Sequence, residues 1–362
     1  MRTVSVRISS ERQYDIVIGT ELLSDLASII DLRPYTQILV LTDSHVAPLY
    51  VDRFLEDHRR FRITAHVVEA GEESKSLAVY EELQRRLAAL NFDRRSLVVN
   101  IGGGVISDLG GFVASTYRRG VPFVNVSTTV EGMVDASVGG KTGVNLGPYK
   151  NYVGTYAQPV AVVIDVATLR TLDDRNRVAG WAEVIKHGLI ASRPYYDTVT
   201  SKHPLSFSDS ELIDVVTFSC ELKRGVVQDD ESESGVRKIL NFGHTVGHAV
   251  ESLSYQHRPL LHGEAVAIGM VAEARLARGR GAITCDEYDD LKARLARCGL
   301  PTRIPFALPD LTPLTALIGA DKKNHGGRVR WSLLSSIGSC DHDVLVDDGL
   351  VADALREVAD VP

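Results

Sequence analysis

The chain has 362 residues, of which 44% are hydrophobic and 24% charged, as is ordinary for a soluble globular protein of two domains. Its net charge of −7 argues against nucleic acid or an anionic membrane surface as a partner. No stretch approaches the roughly 20 apolar residues of a membrane span, and the N-terminus lacks the pattern of a secretory signal. The 4 cysteines are scattered, as expected in a reducing compartment, so we expect a cytoplasmic protein.

The first half of the chain alternates short apolar runs with helical patterns. The runs that we interpret as buried strands are residues 38–43, 64–69, 97–101, 123–126 and 160–165. This alternation predicts an α/β domain whose parallel, Rossmann-like sheet is covered by helices on both faces. Ligands of such sheets bind at the carboxyl ends of the strands, where Asp43, Gly71, the glycines at 102–104 and Thr128–Thr129 fall.

The second half of the chain is dominated by amphipathic helical patterns. The predicted helices are residues 179–191, 209–228, 236–253, 263–280 and 286–298, and a strand-like patch at 329–334 is the exception. We therefore predict a nucleotide-binding α/β domain of residues 1–175 and an all-α domain of residues 176–362. The candidate metal ligands lie in the second of these domains.

A glycine run leaves one of the predicted strands. Gly102, Gly103 and Gly104 follow the strand directly and precede a predicted helix, a place where backbone N–H groups bind phosphate. The spacing departs from G-x-G-x-x-G because Ser107 holds the position of the last glycine, so a simple tight turn explains the run equally well. Asp108 favours a nucleotide, since a carboxylate beside phosphates needs a role such as binding a ribose.

A second glycine cluster precedes a lysine. Gly139 and Gly140 come directly before Lys141, and Lys150 and Asn151 follow within ten residues. Paired glycines allow close backbone approach, and the lysines would deliver positive charge to an anion. A plain surface loop is the competing interpretation.

Two histidines and a glutamate suggest a metal centre. His244 and His248 stand four residues apart in a predicted helix and so share a face. Glu183 precedes them and His262 follows, and two histidines with one carboxylate form a typical catalytic zinc site. The glutamate of H-E-x-x-H is missing, which argues against a peptidase. The spacing leaves open whether both His244 and His248 bind metal or one of them serves the substrate.

Polar residues extend this face towards the N-terminus. In a single helix over 236–253, Arg237 and Asn241 would share the face of His244 and His248, although the flanking residues are apolar. Burying such groups is costly unless a ligand or metal pairs them. Lys223 lies fourteen residues before Arg237 and could add a further cation.

Together these segments closely resemble the 3-dehydroquinate synthases of the sugar-phosphate cyclase family. The resemblance covers nearly the whole chain, and several of its motifs are highly specific in combination. The segments that carry it are residues 71–77, 102–108, 118–120, 135–143, 180–186, 241–248, 262–266 and 321–323.

The resemblance implies a role for each candidate residue. The implied ligands of a zinc or cobalt ion are Glu183, His244 and His262. The implied substrate residues are Arg119, Lys141, Asn151, Lys186, Lys223, Arg237, Asn241, His248 and Lys322. The implied NAD contacts are Asp43, Glu72, Lys75, Gly104, Val105, Ile106, Ser107, Asp108, Thr128, Thr129, Asp135, Lys141, Lys150, Thr168 and Thr171. A homodimer is also implied.

The implied activity is the conversion of 3-deoxy-D-arabino-heptulosonate 7-phosphate to 3-dehydroquinate and phosphate, a step of the shikimate pathway. A ring hydroxyl is oxidised transiently with NAD, phosphate leaves by β-elimination, the hydride returns, and an intramolecular aldol step closes the carbocycle. We favour this carboxylated substrate because Arg237, Asn241 and His248 are all present.

Three alternatives stay open from the residues. One is a cyclase of the 2-epi-5-epi-valiolone type acting on sedoheptulose 7-phosphate, and another is an amino-dehydroquinate synthase. The usual dehydroquinate synthase pattern is not followed at Glu131, Trp181 and His187. These departures are compatible with either of the two alternative cyclases. A more remote alternative is an alcohol dehydrogenase that depends on NAD and a metal.

Overall fold

The computed structural model describes residues 1–9, 13–147, 149–320 and 328–361. The chain forms two compact units. The first consists of Met1–Leu172 with Asp209–Ser232, and the second of Asp173–Ser208 with Glu233–Pro362. The predicted boundary at residue 175 lies close to the first of these divisions. The difference is the segment Asp209–Ser232, which groups with the first unit although the sequence analysis placed it in the second domain.

The first unit is built on a seven-stranded sheet and a separate hairpin. Its strands are β1 (Arg2–Arg7), β2 (Gln13–Gly19), β3 (Ile38–Asp43), β4 (Ile63–Val68), β5 (Leu97–Gly102), β6 (Phe123–Ser127), β7 (Lys141–Leu146), β8 (Tyr149–Tyr156) and β9 (Ala161–Asp165). The order in the large sheet is β1-β2-β9-β6-β5-β3-β4. Every neighbouring pair in it is parallel except β1 and β2. The predicted parallel sheet is thus confirmed.

Twelve α-helices are described. In chain order they are α1 (Leu26–Ile29), α2 (Ala47–Asp57), α3 (Leu77–Ala89), α4 (Gly104–Thr116), α5 (Asp174–Ala191), α6 (Arg193–Val199), α7 (Asp209–Asp229), α8 (His244–Ser254), α9 (His262–Gly279), α10 (Cys285–Arg297), α11 (Thr312–Ala320) and α12 (Asp348–Val358). The first unit contains α1 to α4 and α7. Among the described residues, no helix combines the length and apolar character needed to cross a membrane.

Helices cover both faces of the large sheet, which explains why its parallel strands are mostly apolar. Side chains alternate along β3: Leu39 and Leu41 belong to one buried cluster, and Ile38 and Val40 to the other. The first cluster includes residues of α3 and α4, and the second includes residues of α1 and α2. All six residues of β5 are buried, as befits a central strand.

The strand order places a topological switch between β3 and β5. The chain passes outward from β3 to β4 and then returns to β5 on the other side of β3. A crevice at the carboxyl ends of two such strands is the usual ligand site of open parallel sheets. Asp43 ends β3 and Gly102 ends β5, so two predicted cofactor-site segments lie at this switch.

Strands β7 and β8 form an antiparallel hairpin that the sequence analysis did not predict. Lys141 pairs with Tyr156 and Leu146 with Tyr149. The hairpin carries Lys141 and, on β8, Lys150 and Asn151, so these candidates lie on regular structure rather than in the alternative surface loop.

The second unit is mainly helical. It contains α5, α6 and α8 to α12, and a two-stranded antiparallel hairpin of β10 (Trp331–Ser336) and β11 (Ser339–Val344). The helical character of this part of the chain is confirmed, and the hairpin is an addition to the all-α prediction. Strand β10 overlaps the strand-like patch predicted at residues 329–334.

One predicted helix is interrupted. Residues 236–253 do not form one helix, because a 3₁₀-helix over Val236–Asn241 ends before α8 begins at His244. Gly243 between them has a φ of 82°, a left-handed conformation that glycine adopts easily. The prediction that Arg237 and Asn241 share one helix face with His244 and His248 is therefore wrong, since the two pairs belong to different elements.

Candidate metal centre and nucleotide site

Three helices of the second unit bring the predicted metal ligands together. Glu183 is buried within α5, and His244 and His262 are the first residues of α8 and α9. The Nε2 atoms of His244 and His262 lie 3.5 and 3.7 Å from Oε1 of Glu183. One potential ligand atom from each residue lies within 4.8 Å of the others, a spacing suited to a single metal ion.

A glycine at the start of α9 allows this convergence. A Cβ atom on Gly263 would lie 1.8 Å from the carbonyl oxygen of Ala179 on α5. No larger residue could keep the two helices at this distance. The close approach places His262, the preceding residue, next to Glu183.

The other ring nitrogen of each histidine has its own partner. Nδ1 of His244 lies 3.3 Å from the carbonyl oxygen of Phe242, and Nδ1 of His262 lies 3.3 Å from Oε2 of Glu251. In the tautomer protonated at Nδ1, each ring donates to that oxygen and directs the Nε2 lone pair towards Glu183. A second partner of this kind is typical of metal-binding histidines.

The charge state of the cluster also suits a cation. Burial would raise the pKa of the Glu183 carboxyl, but the Lys186 ammonium together with His244 and His262 holds it well below its usual range. Burial and the Lys186 charge hold the pKa of His244 well below its usual value. An ionised carboxylate therefore faces neutral imidazole, which is the ligand form.

Glu183 carries buried acceptor atoms that a metal ion would satisfy. Lys186 forms an ion pair with it, yet neither carboxylate oxygen accepts a hydrogen bond of acceptable geometry from the described residues. Buried polar atoms normally have hydrogen-bond partners. The residues present thus fit a divalent metal ion held by Glu183, His244 and His262.

His248 lies beside this cluster but outside it. Its ring is 5.2 Å from that of His244 and 5.8 Å from that of His262, measured between centroids. The residue is exposed, whereas His244 is buried. This geometry favours the alternative in which only His244 of the pair binds metal and His248 is left for the substrate.

Two cations of the second unit are buried almost completely. Lys186 and Arg237 are each 1% exposed. Asn241 is half-buried, and its Nδ2 donates to Oε1 of Glu233 at 2.7 Å. Glu233 has a φ of 60°, unusual for a residue other than glycine and often found at functional sites. The sequence analysis missed Glu233, which stands in no recognisable motif.

Trp181 and His187, two departures from the family pattern, are buried in α5. The indole of Trp181 donates to the carbonyl oxygen of Val199 at 3.0 Å and packs against Phe207. We therefore assign Trp181 to the packing of α5 against its neighbours.

In the first unit, an ion pair lies beside the glycine run. Lys75 is buried and pairs with Asp108 of α4. Burial would lower the pKa of Lys75, but Asp108 and Glu72 raise it above its usual value, so the ammonium stays charged. Glu72 in turn accepts a hydrogen bond from Asn145 at 2.8 Å. The structure thus brings three predicted cofactor residues into one network.

The first turn of α4 contains the remaining residues of that motif. The helix starts at Gly104 with Gly103 as its N-cap, and Val105, Ile106, Ser107 and Asp108 follow. The cap makes no side-chain hydrogen bond. Free N–H groups and the helix dipole at such an end favour an anion, so this turn fits a nucleotide phosphate.

Other predicted cofactor residues stabilise turns around the sheet edge. Asp43 accepts the N–H groups of His45 and Val46 at 2.9 and 3.0 Å. Thr129 accepts the N–H of Gly132 at 3.1 Å. The buried Thr128 donates its N–H to the Gly102 carbonyl at 3.0 Å.

Thr168 and Thr171 both contact Tyr50. The tyrosine hydroxyl lies 2.5 Å from Oγ1 of Thr171 and 3.4 Å from the carbonyl oxygen of Thr168. Thr168 is buried and Thr171 exposed. These two candidates therefore share one polar cluster at the end of β9.

A second lysine–aspartate pair links α7 to the turn after β6. Nζ of the buried Lys223 donates to the carbonyl oxygen and to Oδ1 of Asp135 at 2.5 and 2.6 Å. Lys223, a predicted substrate residue, and Asp135, a predicted cofactor residue, are thus in direct contact.

The remaining predicted cations are exposed. They are Arg119 and, on the hairpin, Lys141 and Lys150. Arg119 and Asn151 both have positive φ, 69° and 51°, and the N–H of Asn151 donates to Asn145. Lys322 lies outside the described residues.

The chain is similar to known proteins along most of its length. The family model of the 3-dehydroquinate synthase N-terminal domain matches residues 65–179, and that of the C-terminal domain matches residues 180–324. The curated 3-dehydroquinate synthase of Desulforamulus reducens is 40% identical over 350 residues, covering 94% of this chain and 96% of its own length.

Solved cyclase structures share the fold. A 2-deoxy-scyllo-inosose synthase complexed with carbaglucose-6-phosphate, NAD⁺ and Co²⁺ is 26% identical with a TM-score of 0.90, covering 99% of this chain and 100% of that one. The 2-epi-5-epi-valiolone synthase ValA of Streptomyces hygroscopicus subsp. jinggangensis, with NAD⁺ and Zn²⁺ bound, is 28% identical with a TM-score of 0.86, covering 98% of both chains.

Proposed function

The chain belongs to the 3-dehydroquinate synthase family, and from that premise we propose that it acts as a 3-dehydroquinate synthase. It would convert 3-deoxy-D-arabino-heptulosonate 7-phosphate to 3-dehydroquinate and phosphate. The observation that carries the proposal is the cluster of Glu183, His244 and His262, whose ligand atoms converge within 4.8 Å.

The proposed cofactors are NAD and a zinc or cobalt ion. NAD with one of these metals is present in both cyclase structures described above. When bound, the two supply a reversible hydride acceptor and a Lewis acid for a ring hydroxyl. In this chain Glu183, His244 and His262 would hold the metal, and the first turn of α4 would bind the nucleotide phosphates.

The residues of the chain contribute mainly charge and position. Lys186, Lys223 and Arg237 are buried cations, which suit a substrate with both a phosphate and a carboxylate. Ion pairing holds Lys186 and Lys223 in place before substrate binds. Orienting an anionic substrate in this way can supply a large part of a rate enhancement.

His248 and Asn241 are the polar residues that we propose for the substrate's uncharged groups. The exposed imidazole of His248 lies next to the ligand histidines and can donate or accept a hydrogen bond. Asn241 is oriented by Glu233. The resemblance also implies substrate roles for Arg119, Lys141 and Asn151 of the first unit.

The proposed function is tested by phosphate release. Purified protein with NAD and Zn²⁺ or Co²⁺ would be assayed on 3-deoxy-D-arabino-heptulosonate 7-phosphate and, in parallel, on sedoheptulose 7-phosphate. We expect rapid release from the first substrate without accumulation of NADH, since the hydride returns within each cycle. Release mainly from sedoheptulose 7-phosphate would contradict the substrate assignment, and stoichiometric NADH would indicate a dehydrogenase.

We also propose that the protein is a cytoplasmic homodimer without a nucleic-acid partner. Strand β8 supports the dimer, because it carries three exposed tyrosines. Tyr149, Tyr152 and Tyr156 of β8 are 60%, 52% and 50% exposed. Exposed aromatic side chains grouped on one strand are a typical surface for association.

Replacing Tyr152 with aspartate should therefore weaken the dimer. A charge at this position would have to be desolvated in the interface. Light scattering after size exclusion should show the mass fall from twice the 39.5 kDa of the chain towards the single chain. Tyr255→Asp, at a residue of the second unit with the same 52% exposure, is the matched control and should stay dimeric; a dimeric Tyr152→Asp protein would exclude β8 from the interface.

A further inference from the structure

Helix α8 begins at a proposed metal ligand and needs an acceptor that its own N-cap does not provide. His244 is its first residue, and the N-cap is Gly243, which makes no side-chain hydrogen bond. The N–H groups in the first turn of a helix have no partners within the helix. Residues 244–247 are buried, so the acceptor must come from elsewhere in the chain.

Glu273 of α9 supplies it. Its Oε2 accepts the N–H of Gly243 at 2.6 Å, and its Oε1 accepts the N–H of Val246 at 3.1 Å. The side chain is 0% exposed. The two hydrogen bonds bracket His244 along the chain, so one carboxylate fixes the backbone on both sides of the ligand.

Only a carboxylate serves this position well. Burying an ionised group is costly in isolation, but the N-terminus of a helix favours negative charge. Both oxygens of Glu273 accept from backbone N–H groups. A glutamine of the same shape has one acceptor oxygen and an NH₂ group, so it cannot satisfy both donors.

The direction of the His244 ring depends on this turn. Its Nδ1 lies 3.3 Å from the carbonyl oxygen of Phe242, the residue before Gly243, and its Nε2 lies 3.5 Å from Oε1 of Glu183. A shift of the backbone between Phe242 and Val246 would change both distances. Groups that orient metal ligands in this way typically alter metal affinity about 10- to 100-fold.

We propose that Glu273 is a positioning residue of the metal centre. By accepting the N–H groups of Gly243 and Val246, it fixes the first turn of α8 so that Nε2 of His244 faces Glu183. Glu273 also belongs to the helix that begins with His262, so it ties the helices of two ligands together. The inference rests on the proposed function, because it requires that these residues hold a metal.

Cobalt binding to metal-free protein tests the proposal without an activity assay. Wild-type protein and Glu273→Gln would be titrated with Co²⁺, and affinity and visible ligand-field absorption would be recorded. We expect Glu273→Gln to bind Co²⁺ about 10- to 100-fold more weakly, with a changed spectrum and unchanged affinity for NAD. Glu273→Asp keeps the charge on a shorter side chain and should give an intermediate loss.

The matched control is Glu287→Gln. Glu287 accepts the N–H of Thr284 at 2.8 Å at the start of α10, so it is also a carboxylate that caps a helix of the second unit. This variant should bind Co²⁺ like the wild type. If both glutamine variants lose stability to the same extent, that loss is due to the missing helix cap and not to the metal centre.

Two results would overturn the proposal. Wild-type Co²⁺ affinity and spectrum in Glu273→Gln would make Glu273 a purely structural cap. If Glu273→Gln does not fold, the same wild-type values in Glu273→Asp would lead to that conclusion. Absence of Co²⁺ binding by the wild type would instead contradict the proposed function itself, so the two failures are distinguishable.

Discussion

Replacing His262 with alanine should remove the metal and, with it, turnover. The residue supplies one of three converging ligands, and loss of a Lewis acid costs several kcal/mol of transition-state stabilisation. We therefore expect phosphate release to fall about 10³-fold or more. Metal content after dialysis and the rate of phosphate release would be measured on the same preparation.

The fold should survive this substitution. The His262 side chain is 25% exposed, so its truncation does not open the core. Glu251 loses one partner, for which we expect a stability loss of about 1–3 kcal/mol. His257→Ala is the control: His257 is an exposed residue that stacks on Phe306 and should keep full metal content. Normal turnover by metal-free His262→Ala protein would refute the metal-dependent mechanism.

Replacing Arg237 with alanine should discriminate between substrates. Arg237 is 1% exposed, and truncating one partner of a buried, hydrogen-bonded charge pair typically weakens binding by about 2–5 kcal/mol. We expect kcat/KM for 3-deoxy-D-arabino-heptulosonate 7-phosphate to fall at least about 10²-fold. Inhibition by sedoheptulose 7-phosphate, which lacks the carboxylate, should weaken far less.

Two further variants make this experiment specific. Arg237→Lys keeps the charge but loses the bidentate geometry, so it should recover part of the discrimination. Arg280 is an exposed arginine that donates to the carbonyl oxygen of Leu345. Arg280→Ala should change neither kcat/KM for the carboxylated substrate nor inhibition by sedoheptulose 7-phosphate. Equal losses for both sugar phosphates in Arg237→Ala would show that Arg237 does not read the carboxylate.

The sequence predicts strands β3, β4, β5, β6 and β9 of the first unit well because their signals are local. Runs such as Leu97–Gly102 are apolar except for Asn100, since both faces of the strand are covered, and further glycines directly follow. The β7–β8 hairpin gives no such signal. Its exposed residues Tyr149, Lys150, Asn151 and Tyr152 do not alternate between apolar and polar.

The metal centre was predictable only in part. Glu183, His244 and His262 are reactive residue types in recognisable motifs, so they could be selected from the sequence. The break at Gly243 was missed because the apolar pattern continues across it, and only the backbone shows its positive φ. Glu251 and Glu273 belong to no recognisable motif. Their roles depend on contacts with His262, 11 positions away, and with Gly243, 30 positions away.

Helix α7 has a consequence for how the protein is made. It packs against β1, β2 and the turn at Gly132–Ala136, although it follows the 36 residues of Asp173–Ser208 that belong to the other unit. During synthesis, the N-terminal unit cannot complete its packing until the ribosome has passed residue 232. A fragment truncated at residue 172 would leave the face of β1 and β2 uncovered, so the two units should not be separable by a single cut.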